Sequence, residues 1–213
     1  MLIMRTNLDI ANRKKVKIAV LVSGGGTNLQ ALIDACNSGI INSGKIELVI
    51  SSNPNAYALE RAARAGIATE VVSKKDYPLH ENFENKIKEY LIKYSIELIV
   101  LAGFMSILSA DFTKTYPERI INVHPSLIPS FCGKGFYGLK VHEAALNYGV
   151  KVTGATVHFV NEIPDGGRII LQKSVAVKKN DTPEILQKRV MKQAEWKILP
   201  RAVELVSRNI LLK

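Results

Sequence analysis

Four stretches of the chain are apolar at nearly every position, and each ends abruptly in turn-forming or polar residues: Val16–Val22, Ile46–Ile50, Leu98–Leu101 and Ile120–Val123. Runs of roughly four to eight apolar residues, rich in Val and Ile, suit strands covered on both faces. A further short strand is predicted over Ala68–Val72. Between these runs the pattern takes a helical period. Helices are predicted over Leu29–Cys36, over Ala56–Ala65 with a stop at Gly66, and from a start near Ser109, Ala110 and Asp111 to Pro117. Asn82–Tyr94 reads as an amphipathic helix, with Phe83, Ile87, Tyr90 and Leu91 inward and Glu84, Lys86, Lys88 and Lys93 outward.

After this alternation the rhythm changes. Ser130–Gly138 is rich in turn residues, and a helix follows over Leu139–Asn147. Gly154–Val160 and Arg168–Val177 read as strands on either side of a loop, Asn161–Gly167. A long charged helix is expected from Pro183 to Val206. The predicted class is α/β: a Rossmann-like, mainly parallel sheet of about seven strands with helices on both faces, its last strands antiparallel. A chain of 213 residues, 47% of them hydrophobic, can bury a substantial core. One domain is expected over residues 15–213, preceded by a flexible extension, residues 1–14.

The net charge of +10 raises nucleic acid, anionic lipid or a phosphorylated small molecule as partners. The basic residues are scattered, however (Lys74 and Lys75, Lys86 and Lys88, Lys178 and Lys179), often beside Asp or Glu, and form no stripe interleaved with aromatics. A solvated surface accounts for most of the charge, and no nucleic-acid partner is expected. Two separated cysteines, Cys36 and Cys132, give no disulfide framework, and four scattered histidines give no zinc spacing, so no metal is expected. No apolar run approaches the roughly 20 residues needed to span a bilayer, and no signal-peptide pattern is found. A cytoplasmic protein without a membrane partner is the expectation.

The chemistry gathers at the strand ends, where parallel sheets bind ligands. Val16–Val22 runs straight into Ser23-Gly24-Gly25-Gly26-Thr27-Asn28 and then a helix. This order presents backbone N–H groups and the positive end of a helix dipole to an anion, with Thr27 or Asn28 to cap the helix or donate to the same ligand. The lysine of the P-loop is missing and the dinucleotide spacing does not match; a plain tight turn is the alternative reading. Asn122 and His124 lie two apart and share a strand face just before Pro125. His124 can shuttle a proton near neutral pH, and Asn122 can donate to an oxyanion. Asp165, in an Asp-Gly-Gly loop, can orient an imidazole or accept a proton. Spacing alone does not bring the three together, and a structural role for His124 stands beside the catalytic one.

Five motifs, in this order, make the chain resemble the glycinamide ribonucleotide formyltransferases: Ser23 to Gln30, Ala102-Gly103-Phe104-Met105, Asn122-Val123-His124-Pro125-Ser126-Leu127, Gly154 to Val160, and Asp165-Gly166-Gly167. The resemblance implies transfer of a formyl group from N10-formyltetrahydrofolate, as co-substrate, to the amine of phosphoribosyl-glycinamide. It implies Asn122, His124 and Asp165 as catalytic residues. Gly26, Thr27 and Asn28 would hold the substrate phosphate, and Glu195 would contact the ribonucleotide. The folate cleft would be lined by Met105, Ser106, Ile107 and Leu108, by Asn122, and by Glu162, Ile163, Pro164, Asp165, Gly166 and Gly167. Some members have an arginine where this chain has Ser106, and the loop from Cys132 to Leu139 is longer than in the shortest relatives.

A monomer or homodimer acting on small molecules is expected. Methionyl-tRNA formyltransferase and formyltetrahydrofolate hydrolase share the Asn-His-Asp core but carry further domains, for which this length leaves no room. The nearest enzymatic rival is hydrolysis of the formyl folate, marked by formate release without ribonucleotide. A folate- or nucleotide-binding module without turnover, and an RNA-binding protein with salt-sensitive affinity, are the readings from other classes.

Overall fold

The computed structural model describes residues 15–213; the extension expected over residues 1–14 lies outside them. Seven strands form one sheet: β1 Val16–Val22, β2 Gly44–Ser51, β3 Ala68–Val71, β4 Leu98–Leu101, β5 Ile120–His124, β6 Val152–Phe159 and β7 Ile169–Ala176. Their order is β3-β2-β1-β4-β5-β6-β7. The first five pair in parallel, while β6 runs antiparallel to β5 and β7 antiparallel to β6. The helices are α1 Thr27–Asn37, α2 Tyr57–Arg64, α3 His80–Lys93, α4 Ala110–Thr115, α5 Leu139–Tyr148, α6 Pro183–Val190 and α7 Trp196–Leu211.

The apolar runs read as they do because the sheet has a core on each side. Along β1, Val16, Ile18, Val20 and Val22 face a cluster shared with α1, α2, α6 and α7. Ala19 and Leu21 face the other cluster, built on Phe83, Ile87 and Leu91 of α3 and Phe112 of α4. A strand buried on both faces has no polar side to show, so alternation vanishes from its sequence.

Two expectations need correction. Glu84, placed outward with the lysines of α3, is only 4% exposed. Its carboxylate accepts from the backbone N–H of Ser109 at 2.6 Å and from the Ser109 hydroxyl, while Ser109 caps α4 by accepting from Phe112 N–H. A buried carboxylate is tolerable only with such partners. The expected single helix from Pro183 to Val206 is interrupted: α6 gives way to one π-helical stretch, Met191–Glu195, before α7 begins. Single π turns inside helices often sit at functional sites, and this one ends on Glu195. Among the described residues no helix is long and apolar enough to cross a membrane.

Candidate functional site

The parallel strands β1, β2 and β4 end at one edge, and short polar bridges tie those ends together. Ser23, just past β1, shares a 2.6 Å hydroxyl contact with Ser52, just past β2. The same oxygen accepts the backbone N–H of Met105, beyond β4. Next in the sheet, β5 carries Asn122 and His124, and its antiparallel pairing with β6 sets His158 opposite Asn122. The amide Nδ2 of Asn122 lies 3.2 Å from His158 Nε2.

Asp165 reaches this edge from the loop after β6. Its backbone sits in the left-handed region at φ 57°, unusual outside glycine. The loop is pressed onto the end of β6: a Cβ on Gly167 would come within 1.7 Å of the Phe159 carbonyl oxygen, so only glycine fits there. The carboxylate is held by the N–H of Gly133 at 2.8 Å. One oxygen then lies 3.4 Å from His124 Nδ1 and the other 3.5 Å from His158 Nε2.

Neighbouring carbonyls decide the ring protonation. His124 Nε2 is 2.9 Å from the carbonyl of Phe131, and His158 Nδ1 is 2.8 Å from that of Phe159. A carbonyl only accepts, so those two nitrogens carry the hydrogens. In neutral rings, His158 Nε2 is then bare and accepts from Asn122, and His124 Nδ1 is bare and faces Asp165. A proton arriving at His124 Nδ1 would be shared with a carboxylate already in place. Burial, the largest influence, lowers the His124 pKa despite the opposing pull of Asp165. For Asp165, burial acts upward, but a hydrogen bond from His158 and the charge of His124, each supplied by the ring when protonated, together with the Gly133 amide outweigh it and the pKa is lowered. The pair therefore rests as neutral imidazole and carboxylate, ready to take one proton.

The glycine turn lies along the same edge. The cap of α1 is Gly26, at φ 70° and with no side-chain bond, so neither Thr27 nor Asn28 caps the helix as expected. Gly26 is required twice over, by its left-handed backbone and because a Cβ would stand 2.6 Å from the Cβ of Ala58. Gly24 and Gly25 differ. A Cβ on either would meet nothing within 4 Å, so open space lies beside them. The carbonyls of both glycines are drawn toward α2, that of Gly24 by Ala58 N–H and that of Gly25 by Arg61 Nε. The first amides of α1 lack intrahelical acceptors and are left for an anion.

Asn28 turns to a different partner. Its Nδ2 donates to Glu195 Oε2 at 2.7 Å, across 167 positions of sequence. Glu195 is 6% exposed, and burial lifts its pKa to about 7, with the Asn28 bond pulling the other way.

The remaining candidates lie in two loops, after β4 and after β6. Met105 and Ile107 are 59% and 62% exposed, whereas Ser106 and Leu108 are buried. The loop residues Glu162, Ile163, Pro164 and Gly166 are exposed and Gly167 is half-buried. The structure thus joins His124 to Asp165, links Asn122 to Asp165 through His158, and pairs Asn28 with Glu195. Sequence reading missed His158 as a site residue. Its signal was the lone histidine in the strand Gly154–Val160, but only the antiparallel register sets it against Asn122. Among the described residues, no group of acidic, histidine and cysteine side chains is arranged to hold a metal.

The formyl transferase family pattern matches residues 16–203. The chain is 46% identical over 202 residues to the human trifunctional purine biosynthetic protein adenosine-3, covering 95% of this chain and 19% of that protein. It thus spans about a fifth of such relatives. It is 43% identical to the phosphoribosylglycinamide formyltransferase of Haemophilus influenzae, covering 88% of this chain and 85% of that one. Among solved structures, it is similar to glycinamide ribonucleotide transformylase 1 from Symbiobacterium toebii, with 42% identity, a TM-score of 0.85 and coverage of 92% and 89% of the two chains.

Proposed function

Because the chain belongs to the formyl transferase family, we propose that it moves the formyl group of N10-formyltetrahydrofolate onto the amine of phosphoribosyl-glycinamide. The observation that carries the reading is the Asp165 carboxylate set between two imidazoles at the edge that also presents the glycine turn. Similarity to phosphoribosylglycinamide formyltransferases supports the acceptor, the family resemblance supports the folate donor, and the site offers chemistry that suits both.

The amine nitrogen attacks the formyl carbon, a tetrahedral species forms, and the bond from that carbon to the folate N10 breaks. The amine loses a proton and N10 gains one, so the site needs a group that takes a proton and returns it. His124 Nε2 is committed to Phe131. Nδ1, backed by Asp165, is the nitrogen left for this work. Asn122 gives one amide hydrogen to His158 and keeps another for the oxyanion. His124, once protonated, adds positive charge beside it. The proposal places the ribonucleotide phosphate at Gly26, Thr27 and Asn28, near Glu195. It places the folate between the segment from Met105 to Leu108 and the loop from Glu162 to Gly167. Holding both substrates at fixed groups makes the encounter local.

Residues 15–213 acting as one domain, in the cytoplasm, are part of the same proposal. The test follows formyl transfer from the folate with and without phosphoribosyl-glycinamide. Product formation that requires the ribonucleotide supports the reading. Formate release at the same rate without it would assign the site to hydrolysis, and binding without turnover would leave a module.

A further inference from the structure

A groove of about 530 Å³ runs along the outer side of α1. None of Asn122, His124, His158 and Asp165 lines it, although one wall includes Thr27 of the glycine turn, so it adjoins the proposed ribonucleotide phosphate site without reaching the catalytic cluster. Its volume falls in the range of small-molecule sites, roughly 300–1,000 Å³. Ala31, Ala35 and Pro200 give it apolar surface, and Trp196, half-buried, contributes an aromatic face. The indole N–H is enclosed and has no acceptor among the described residues, so packing alone holds the ring.

The polar groups of the groove are unevenly committed. Arg61 is spent on the Gly25 carbonyl and on Gln30, and Gln30 also donates to Asp34 at 2.9 Å. Lys197 and Arg201 stand one helical turn apart on α7, both exposed, and neither has an ion pair among the described residues. An ammonium and a guanidinium at that spacing suit a phosphate. An aromatic face beside apolar surface suits a planar ring, and the amide–carboxylate pair of Gln30 and Asp34 can meet its polar edge. A bare phosphate would leave the ring and the apolar surface unused. A neutral aromatic compound would leave both cations unused.

We propose that this groove is a second ligand site that takes a nucleoside monophosphate, its base against Trp196 and its phosphate between Lys197 and Arg201. Trp196 is the sole tryptophan of the chain, so intrinsic fluorescence reports on the site directly. The experiment titrates the full chain with AMP, with inorganic phosphate as a separate arm. Saturable quenching is expected, with an AMP midpoint at least about tenfold lower than that of phosphate and raised at least about tenfold in a Lys197→Ala/Arg201→Ala variant. Saturating phosphoribosyl-glycinamide should leave the midpoint in place. Absence of saturable quenching up to about 5 mM AMP would overturn the proposal, that limit being an affinity of about 3 kcal/mol. So would displacement by the ribonucleotide, which would assign AMP to the glycine turn, and so would equal midpoints for AMP and phosphate. Since the readout is binding, formyl transfer stands or falls separately.

Discussion

Replacing Glu195 with Gln should make the protein more stable at alkaline pH while leaving it nearly unchanged in acid. The carboxylate is buried, with one hydrogen bond from Asn28, and its pKa rises from 4.5 to about 7. Between those values the folded protein holds a proton that the unfolded chain has released. Unfolding free energy therefore falls as pH rises through this window, and the stabilisation from the proton is complete below about 4.5 and lost above about 7. At 1.36 kcal/mol per pH unit, the whole effect is about 3 kcal/mol. Glutamine keeps an oxygen for Asn28 and cannot ionise, so it lacks this slope. Urea unfolding of both proteins at about pH 5 and about pH 8.5 should show the gap widening by about 2 to 3 kcal/mol in favour of Glu195→Gln. Subtraction removes every titration the two proteins share. A gap that stays constant with pH would refute the reasoning, because Glu195 would then ionise alike in both states.

The three catalytic assignments predict that Asn122→Ala, His124→Ala and Asp165→Asn remain folded and bind both substrates within about tenfold of the parent. Single-turnover formyl transfer should fall by at least about a hundredfold in each, a barrier change of about 2.7 kcal/mol, with losses far from additive; a near-normal rate for Asp165→Asn would remove it from proton handling. Gly26→Ala should lower stability by about 2 to 4 kcal/mol, since the new Cβ meets Ala58 and the backbone is left-handed. Gly25→Val has open space and should fold normally while weakening ribonucleotide binding in calorimetry more than folate binding. Glu84→Ala should lose about 1 to 3 kcal/mol in urea unfolding by stranding the Ser109 N–H. It should also raise KM for the folate more than it changes kcat, because Ser109 closes the segment from Met105 to Leu108.

What the sequence determined by itself was whatever is written locally. Val16–Val22 and Leu98–Leu101 fall on the predicted residues because strands buried on both faces are apolar at nearly every position, the exposed Lys17 near the start of β1 being the exception. The glycine turn between β1 and α1 was readable for a similar reason: backbone that approaches Ala58 so closely has to be glycine. Asn122 and His124 stood out because they interrupt an apolar strand at its end. The tertiary structure alone decided who meets whom. Asp165 stands between His124 and His158 because a loop crosses the end of β6, and no spacing encodes the antiparallel register that sets His158 against Asn122. Asn28 finds Glu195 across 167 positions, on a π turn, and helix propensity does not mark where a helix widens. Glu84 fell on a polar helix stripe and would have faced water, had the start of α4 not been folded against it.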